Sequence, residues 1–277
     1  MALSAIPRFE YVSVGSKTTR GASDYALTMR RFVLCLLLAA SAWGQRRGMT
    51  AEDYLLFENL SDPQISPDGR SVAYTVTTVD LKANHRKSEI FLAAIDGSPS
   101  GAGSRAGMPF AGESASSSAP RWSPDGKFIA FLSARDAASN GTGRTQIWLL
   151  ATNGGEARKL TSLENGVSNI EWSPDSTHLV GLTRTGPPPS KSSDVRHYTH
   201  ISYKFNDTGW FDEKRSHVVV IDAKIGNAKQ ITDGDDWNDT DPRWSPDSTR
   251  VAFVSDRTGH EFDGSRNTDV WVIRAAG

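Results

Sequence analysis

The chain holds a single cysteine, Cys35, in 277 residues. One thiol cannot form a disulfide framework within the chain. No Gly-x-Ser-x-Gly nucleophile elbow occurs: the closest string, Gly97-Ser98-Pro99-Ser100-Gly101, puts proline where the serine must stand. A glycine-rich phosphate loop and a His-Glu-x-x-His pair are also missing. His197 and His200 stand three apart without a clear third ligand, so no metal site is expected, and no cofactor. The net charge of -1 gives no electrostatic case for a nucleic-acid surface. The apolar run at 32–40 is too short to cross a bilayer, which needs about 20 residues.

One short phrase occurs four times. Its copies are Ile65-Ser66-Pro67-Asp68-Gly69, Trp122-Ser123-Pro124-Asp125-Gly126, Trp172-Ser173-Pro174-Asp175-Ser176 and Trp244-Ser245-Pro246-Asp247-Ser248. Proline presets φ for the second position of a turn, aspartate suits the third, and glycine tolerates the exit. Each copy is followed by a strand-like run: 71–76, 128–132, 178–182 and 250–254. A third strand is expected at 89–93, 146–150, 217–221 and 269–273, and two units show a fourth at 157–161 and 228–232. Four antiparallel strands per unit make the blade of a β-propeller. The expected fold is therefore all-β, a partial propeller of about four blades over 49–277, with the last blade cut short. A complete four-bladed ring is the alternative.

The serines of successive phrases are 57, 50 and 72 residues apart. A compact blade needs about 40–45, so the excess belongs to loops. One is the Gly/Ser/Ala-rich stretch 98–118, which cannot bury a core; another is 183–215, which opens on Gly186-Pro187-Pro188-Pro189. The acidic run Asp233, Asp235, Asp236, Asp239 and Asp241 lacks the glycine and terminal glutamate of a calcium hand. It reads as solvated turn between two blades. Asp256-Arg257-Thr258-Gly259 reads as a structural turn, with a polar tip on one propeller face as the alternative.

The N-terminal part divides differently. Residues 29–45 read as a secretory signal: Arg30 and Arg31 lead, an apolar core follows, and Ala40-Ser41-Ala42 or Ala42-Trp43-Gly44 offers a cleavage site. Residues 1–28 read as an unstructured leader, with translation starting at Met29. Cleavage would remove Cys35 and leave no stable membrane span, and the expected location is secreted or periplasmic. Thr50 can cap a short helix with Tyr54, Leu55 and Phe57 on an apolar side, leading into the first blade at Pro63.

The blade phrase and its Ala-Phe-x-Ser strand resemble the propellers of TolB-like proteins and of the prolyl oligopeptidase family of serine peptidases. The insertion in the third unit is similar to the acylaminoacyl-peptidase and dipeptidyl-peptidase branch. It runs Arg196-His197-Tyr198, then Tyr203-Lys204-Phe205-Asn206-Asp207-Thr208-Gly209-Trp210-Phe211-Asp212-Glu213-Lys214-Arg215. The resemblance implies a propeller that gates a C-terminal α/β-hydrolase domain cleaving short peptides with a Ser-Asp-His triad. That domain would be this chain's partner and is missing from the sequence, so no catalytic residue carries over, and the chain alone is not expected to hydrolyse peptides. The candidate gating residues are Arg196, Tyr198, Tyr203, Lys204, Trp210, Phe211 and Arg215. The alternative is a non-enzymatic TolB-like propeller that binds a protein partner.

Overall fold

The computed structural model describes residues 48–97, 108–109, 116–136, 144–186, 204–205, 209–210, 214–258 and 267–277. The expected leader and signal segment, at 1–28 and 29–45, lie outside the described residues. From Ala51 to Gly277 the chain forms one compact unit. It opens on the helix α1 (Ala51–Leu55), which buries none of its residues. Tyr54, Leu55 and Phe57 are exposed, so the apolar side expected for this helix covers nothing among the described residues.

The remainder is built from antiparallel sheets. Blade 1 contains β1 (Asn59–Ile65), β2 (Ser71–Asp80), β3 (His85–Ala94) and β4 (Met108–Pro109). Blade 2 contains β5 (Ser117–Trp122), β6 (Phe128–Ser133), β7 (Gln146–Ala151) and β8 (Arg158–Lys159). Blade 3 begins with β9 (Ser168–Trp172) and β10 (His178–Thr185). A two-stranded hairpin, β11 (Lys204–Phe205) and β12 (Gly209–Trp210), follows, and β13 (Arg215–Asp222) and β14 (Ala228–Gln230) complete the blade. Blade 4 contributes β15 (Asp239–Trp244), β16 (Arg250–Ser255) and β17 (Asp269–Arg274).

The expected strands are present, with two differences. The stretch 98–118, read as loop, contains β4, which pairs Pro109 with Phe91 and Met108 with Leu92, and the start of β5. The third-unit insertion is shorter than 183–215, because β10 and β13 run on to pair Thr185 with Arg215.

All four Ser-Pro-Asp turns close in the same way. The serine hydroxyl donates to the aspartate two residues on, at 2.6 Å for Ser66–Asp68 and 2.7 Å for Ser123–Asp125. The same serine oxygen accepts the backbone N–H five residues on, at 2.9 Å in every copy. The last residue of the phrase takes positive φ, at Gly69 and Gly126 without steric cost and at Ser176 and Ser248 against a local one. Each first strand also carries a bulge, with positive φ at Asp62, Ala119, Asn169 and Asp241, where the ladder slips before the turn.

The core lies between blades. Ala130, Leu132, Ile147 and Leu149 of blade 2 pack with Val167, Ile170, Trp172, Leu179, Val219 and Ile221 of blade 3. Val180, Leu182, Val218 and Val220 of blade 3 pack with Val251 and Phe253 of blade 4. Ile90 of blade 1 meets Phe131 and Leu150 of blade 2. Alternation along each strand makes this work: one set of side chains faces the blade ahead and the other the blade behind.

Trp122, Trp172 and Trp244 hold equivalent positions. Each indole N–H donates to a first-strand carbonyl of the preceding blade: Trp122 to Gln64 at 3.1 Å, Trp172 to Arg121 at 2.9 Å and Trp244 to Glu171 at 3.4 Å.

Candidate functional site

The antiparallel order sends two kinds of connection to one end of the blades, opposite the Ser-Pro-Asp turns. These are the second-to-third-strand connections and the links into the next blade. The third-unit insertion leaves from this end, which makes it the candidate functional face.

Among the described residues, an arginine clamp appears on this face twice. In blade 2, Arg135 lies 5.0 Å from the Phe131 ring centroid and 4.9 Å from that of Trp148. Its Nη2 donates to Ser117 Oγ at 3.0 Å, and the Trp148 indole donates to the Ser133 carbonyl at 3.2 Å. In blade 4, Arg257 lies 5.6 Å from Phe253 and 5.4 Å from Trp271. The Trp271 indole donates to the Ser255 carbonyl at 3.3 Å. Arg257 Nε donates to Ser255 Oγ at 3.0 Å, and its Nη2 donates to Asp239 Oδ1 at 3.0 Å. A third ring, Trp237, lies 4.5 Å from Arg257. Trp237 is folded over Gly234, where an added Cβ would stand 2.4 Å from the indole. Among the described residues, blade 3 has no such clamp. Gly181 and Val219 pair where the other two blades pair phenylalanine with tryptophan, and Val167 fills the space over Gly181.

Asp239 is the most enclosed charge on this face, with no exposed side-chain surface. Burial alone would raise its pKa. Hydrogen bonds from His217, Thr232 and Ser255 and the Arg257 charge outweigh burial and hold it below the usual carboxylate range. His217, 2 % exposed, places Nδ1 3.2 Å from Asp239 Oδ2. A histidine–aspartate pair resembles part of a catalytic relay, but this one is sealed from solvent. Through it a strand of blade 3 contacts the first strand of blade 4. Ser216 N–H donates to Asn238 Oδ1 at 2.9 Å, so two successive residues of the insertion's returning strand are tied to blade 4's entry.

The sequence-derived candidates fall as follows. Arg196, Tyr198, Tyr203 and Phe211 lie outside the described residues, as do His197 and His200. Lys204 is exposed on β11, and its backbone pairs with that of Trp210 on β12. Arg215 is buried at the start of β13 and donates from Nη1 to the Lys214 carbonyl at 3.3 Å. Among the described residues, then, Lys204 and Trp210 share the hairpin while Arg215 sits at the insertion's base.

Asp239 departs from the reading of its acidic run as solvated turn. Asp233, Asp235, Asp236 and Asp241 are exposed, whereas Asp239 turns inward to Arg257 and His217. Arg257 likewise belongs to a structural turn and not to a free polar tip. Sequence reasoning does not single out the clamps, although they carry a signal. Phe131-Leu132-Ser133-Ala134-Arg135 and Phe253-Val254-Ser255-Asp256-Arg257 share the pattern Phe-x-Ser-x-Arg, and each precedes a third-strand tryptophan. Among the described residues, no group of three or more His, Cys, Asp or Glu side chains is arranged to hold a metal ion.

The repeated turn, the inter-blade core and the indole ladder define a β-propeller portion. No protein-family model matches the chain. It is 30 % identical over 236 residues to the uncharacterized peptidase YuxL of Bacillus subtilis, covering 81 % of this chain and 34 % of that protein. It is 28 % identical over 244 residues to dipeptidyl-peptidase 5 of Porphyromonas gingivalis, covering 81 % and 34 %. Among solved structures, it matches the acylaminoacyl peptidase of Pyrococcus horikoshii with a TM-score of 0.55 at 24 % identity, covering 75 % of this chain and 29 % of that one. An acylaminoacyl peptidase in complex with Z-Gly-Gly-Phe-chloromethyl ketone matches with a TM-score of 0.57 at 22 % identity, covering 79 % and 32 %. The chain is a propeller portion of the prolyl oligopeptidase family kind. It spans about a third of the length of these curated relatives.

Proposed function

We propose that this chain is the substrate-gating propeller of an exported serine peptidase that hydrolyses short peptides, with the chemistry supplied by an α/β-hydrolase domain. The observation that carries this reading is the 30 % identity over 236 residues to a peptidase, in a chain folded as propeller blades.

In this proposal the third-unit insertion faces the peptide. Tyr198, Tyr203, Trp210 and Phe211 offer apolar surface, Arg196 and Lys204 offer charge, and Arg215 holds the stem. The segment 29–45 directs export and is removed, which places the mature protein in a periplasm or outside the cell.

The first test is to read the source DNA beyond the Gly277 codon. The expected result is an open frame with further Trp-Ser-Pro-Asp units and then a Gly-x-Ser-x-Gly elbow. An immediate stop codon would overturn the peptidase reading and leave a binding propeller. In the complete enzyme, Trp210→Ala should change peptide-length preference with an unchanged Tm. A fall in Tm with unchanged preference would remove Trp210 from the gate.

A further inference from the structure

Three seams join the four blades, and equivalent positions recur across them. At the Ser-Pro-Asp end, the seams after blades 2 and 3 are tied turn to turn. The Asp125 N–H donates to Ser176 Oγ at 3.0 Å, and the Asp175 N–H donates to Ser248 Oγ at 3.2 Å. The seam between blades 1 and 2 has Gly126 in place of that serine and so has no such hydroxyl to offer Asp68.

The same seam differs in its core. Nine residues after the phrase serine stand Leu132 and Leu182, each 8 % exposed and packed in the core shared with the next blade. Blade 1 has Thr75 there, opposite Ile90 just as Leu132 is opposite Ile147 and Leu182 opposite Val218. Thr75 is 3 % exposed, and its hydroxyl has no hydrogen-bond partner among the described residues. An unpaired buried hydroxyl is destabilising, and the apolar contact of a leucine is lost as well. Nearby, Leu92 is half-buried where Leu149 and Val220 are buried. His217 of blade 3 reaches Asp239 of blade 4, whereas Glu89, at the same register position in blade 1, pairs with Lys87 of its own strand at 3.0 Å. The polar ties between blades 1 and 2 lie mainly on their first strands. There Arg121 meets Asp62 at 2.7 Å and the Trp122 indole donates to the Gln64 carbonyl at 3.1 Å. One further bond, from the Ser88 N–H to Ser116 Oγ at 3.2 Å, is exposed.

We propose that the seam between blades 1 and 2 is a built-in parting line. Blade 1 opens from blade 2 about the first-strand ties, while blades 2, 3 and 4 stay together. The opening admits solvent to Thr75 and to the small apolar contact of Ile90 with Phe131 and Leu150.

Thiol labelling reads this opening directly. In a Cys35→Ser background, Ile90→Cys and Ile147→Cys each place one thiol at equivalent buried positions, in the first seam and in the second. The thiol at position 90 should react at least about tenfold faster than the one at 147. Thr75→Leu with Gly126→Ser gives the first seam the residues of the other two. A Cβ at Gly126 meets open space, and Ser176 and Ser248 already adopt the positive φ required. That pair should slow labelling at 90 about tenfold and leave labelling at 147 unchanged. Equal rates at the two positions, or a rate at 90 that ignores the added pair, would overturn the proposal. Hydrogen exchange of the otherwise unaltered chain gives a second reading. Thr75→Val removes only the orphan hydroxyl and should slow the amides of β2 and β3 several-fold relative to those of β10 and β13. An unchanged ratio would also overturn the proposal.

Discussion

Blades 2 and 4 carry the same arginine clamp with one change of chemistry. Phenylalanine, serine, arginine and tryptophan recur at matched positions, but the arginine rests on Ser117 in blade 2 and on Asp239 in blade 4. A neutral hydroxyl needs little else. A buried carboxylate must be compensated on every side, so blade 4 gathers Arg257, Ser255, Thr232 and His217 around it. His217 comes from blade 3, and the clamp that stabilises a single blade in one place binds two blades in the other. The blade behind follows suit. Where blade 3 has His217 paired with Thr183, blade 1 has Glu89 paired with Val76 at the same register position. A glutamate there would repel a carboxylate in blade 2, and blade 2 has a serine.

The largest expected effect is from Asp239→Ala. It removes the buried acceptor shared by His217, Thr232 and Ser255 and leaves the Arg257 charge without its anion, which should cost about 3–5 kcal/mol. Chemical denaturation checks it, and a loss below about 1 kcal/mol would show that the network is not a binding element. Next comes the pair Arg257→Ala and Arg135→Ala. The first strands Asp239 and should cost about 2–4 kcal/mol, while the second loses stacking and a neutral hydrogen bond, about 1–2 kcal/mol. Equal losses would erase the distinction between the clamps.

A smaller change sharpens the comparison from the other side. Ser117→Asp should destabilise blade 2 by about 2 kcal/mol, and adding Glu89→His should recover about half of that. A double-mutant cycle with no coupling would mean that the blade 3–4 pairing does not transfer.

The smallest effect belongs to the exposed turns. The Ser245 hydroxyl, with the Thr249 hydroxyl and N–H, lowers the Asp247 pKa to about 2. The Ser66 and Ser123 hydroxyls lead the same lowering at Asp68 and Asp125. A folded-state pKa below the unfolded value of about 3.9 contributes stability above that pH, lost as pH falls toward the folded value. Asp247→Asn should therefore lower Tm slightly at pH 7 and leave it unchanged near pH 2. A Tm difference that persists at pH 2 would assign the turn's stability to something other than the carboxylate.

Much of this was legible in the chain. The Ser-Pro-Asp turn is local chemistry, and its serine, proline and aspartate act within six residues, so four copies announced four blades and placed the tryptophans. The second and third strands followed from their apolar runs. The strand β4 was not legible, because Met108 and Pro109 carry no strand signal and pair only because β3 offers an edge. Asp239 was misread for a related reason. In sequence it is one aspartate among five, and only β13 and β16 arriving on either side of it turn it inward.

The sequence by itself determined the repeat, the turn geometry and the alternation that gives each blade two apolar faces, because those depend on residues close along the chain. Only the tertiary structure decided which faces are covered, which aspartate is buried and which histidine answers it. Those choices depend on residues 17 to 73 positions apart meeting across blades or between strands of one blade. No local pattern records which charge will lose its water when they do.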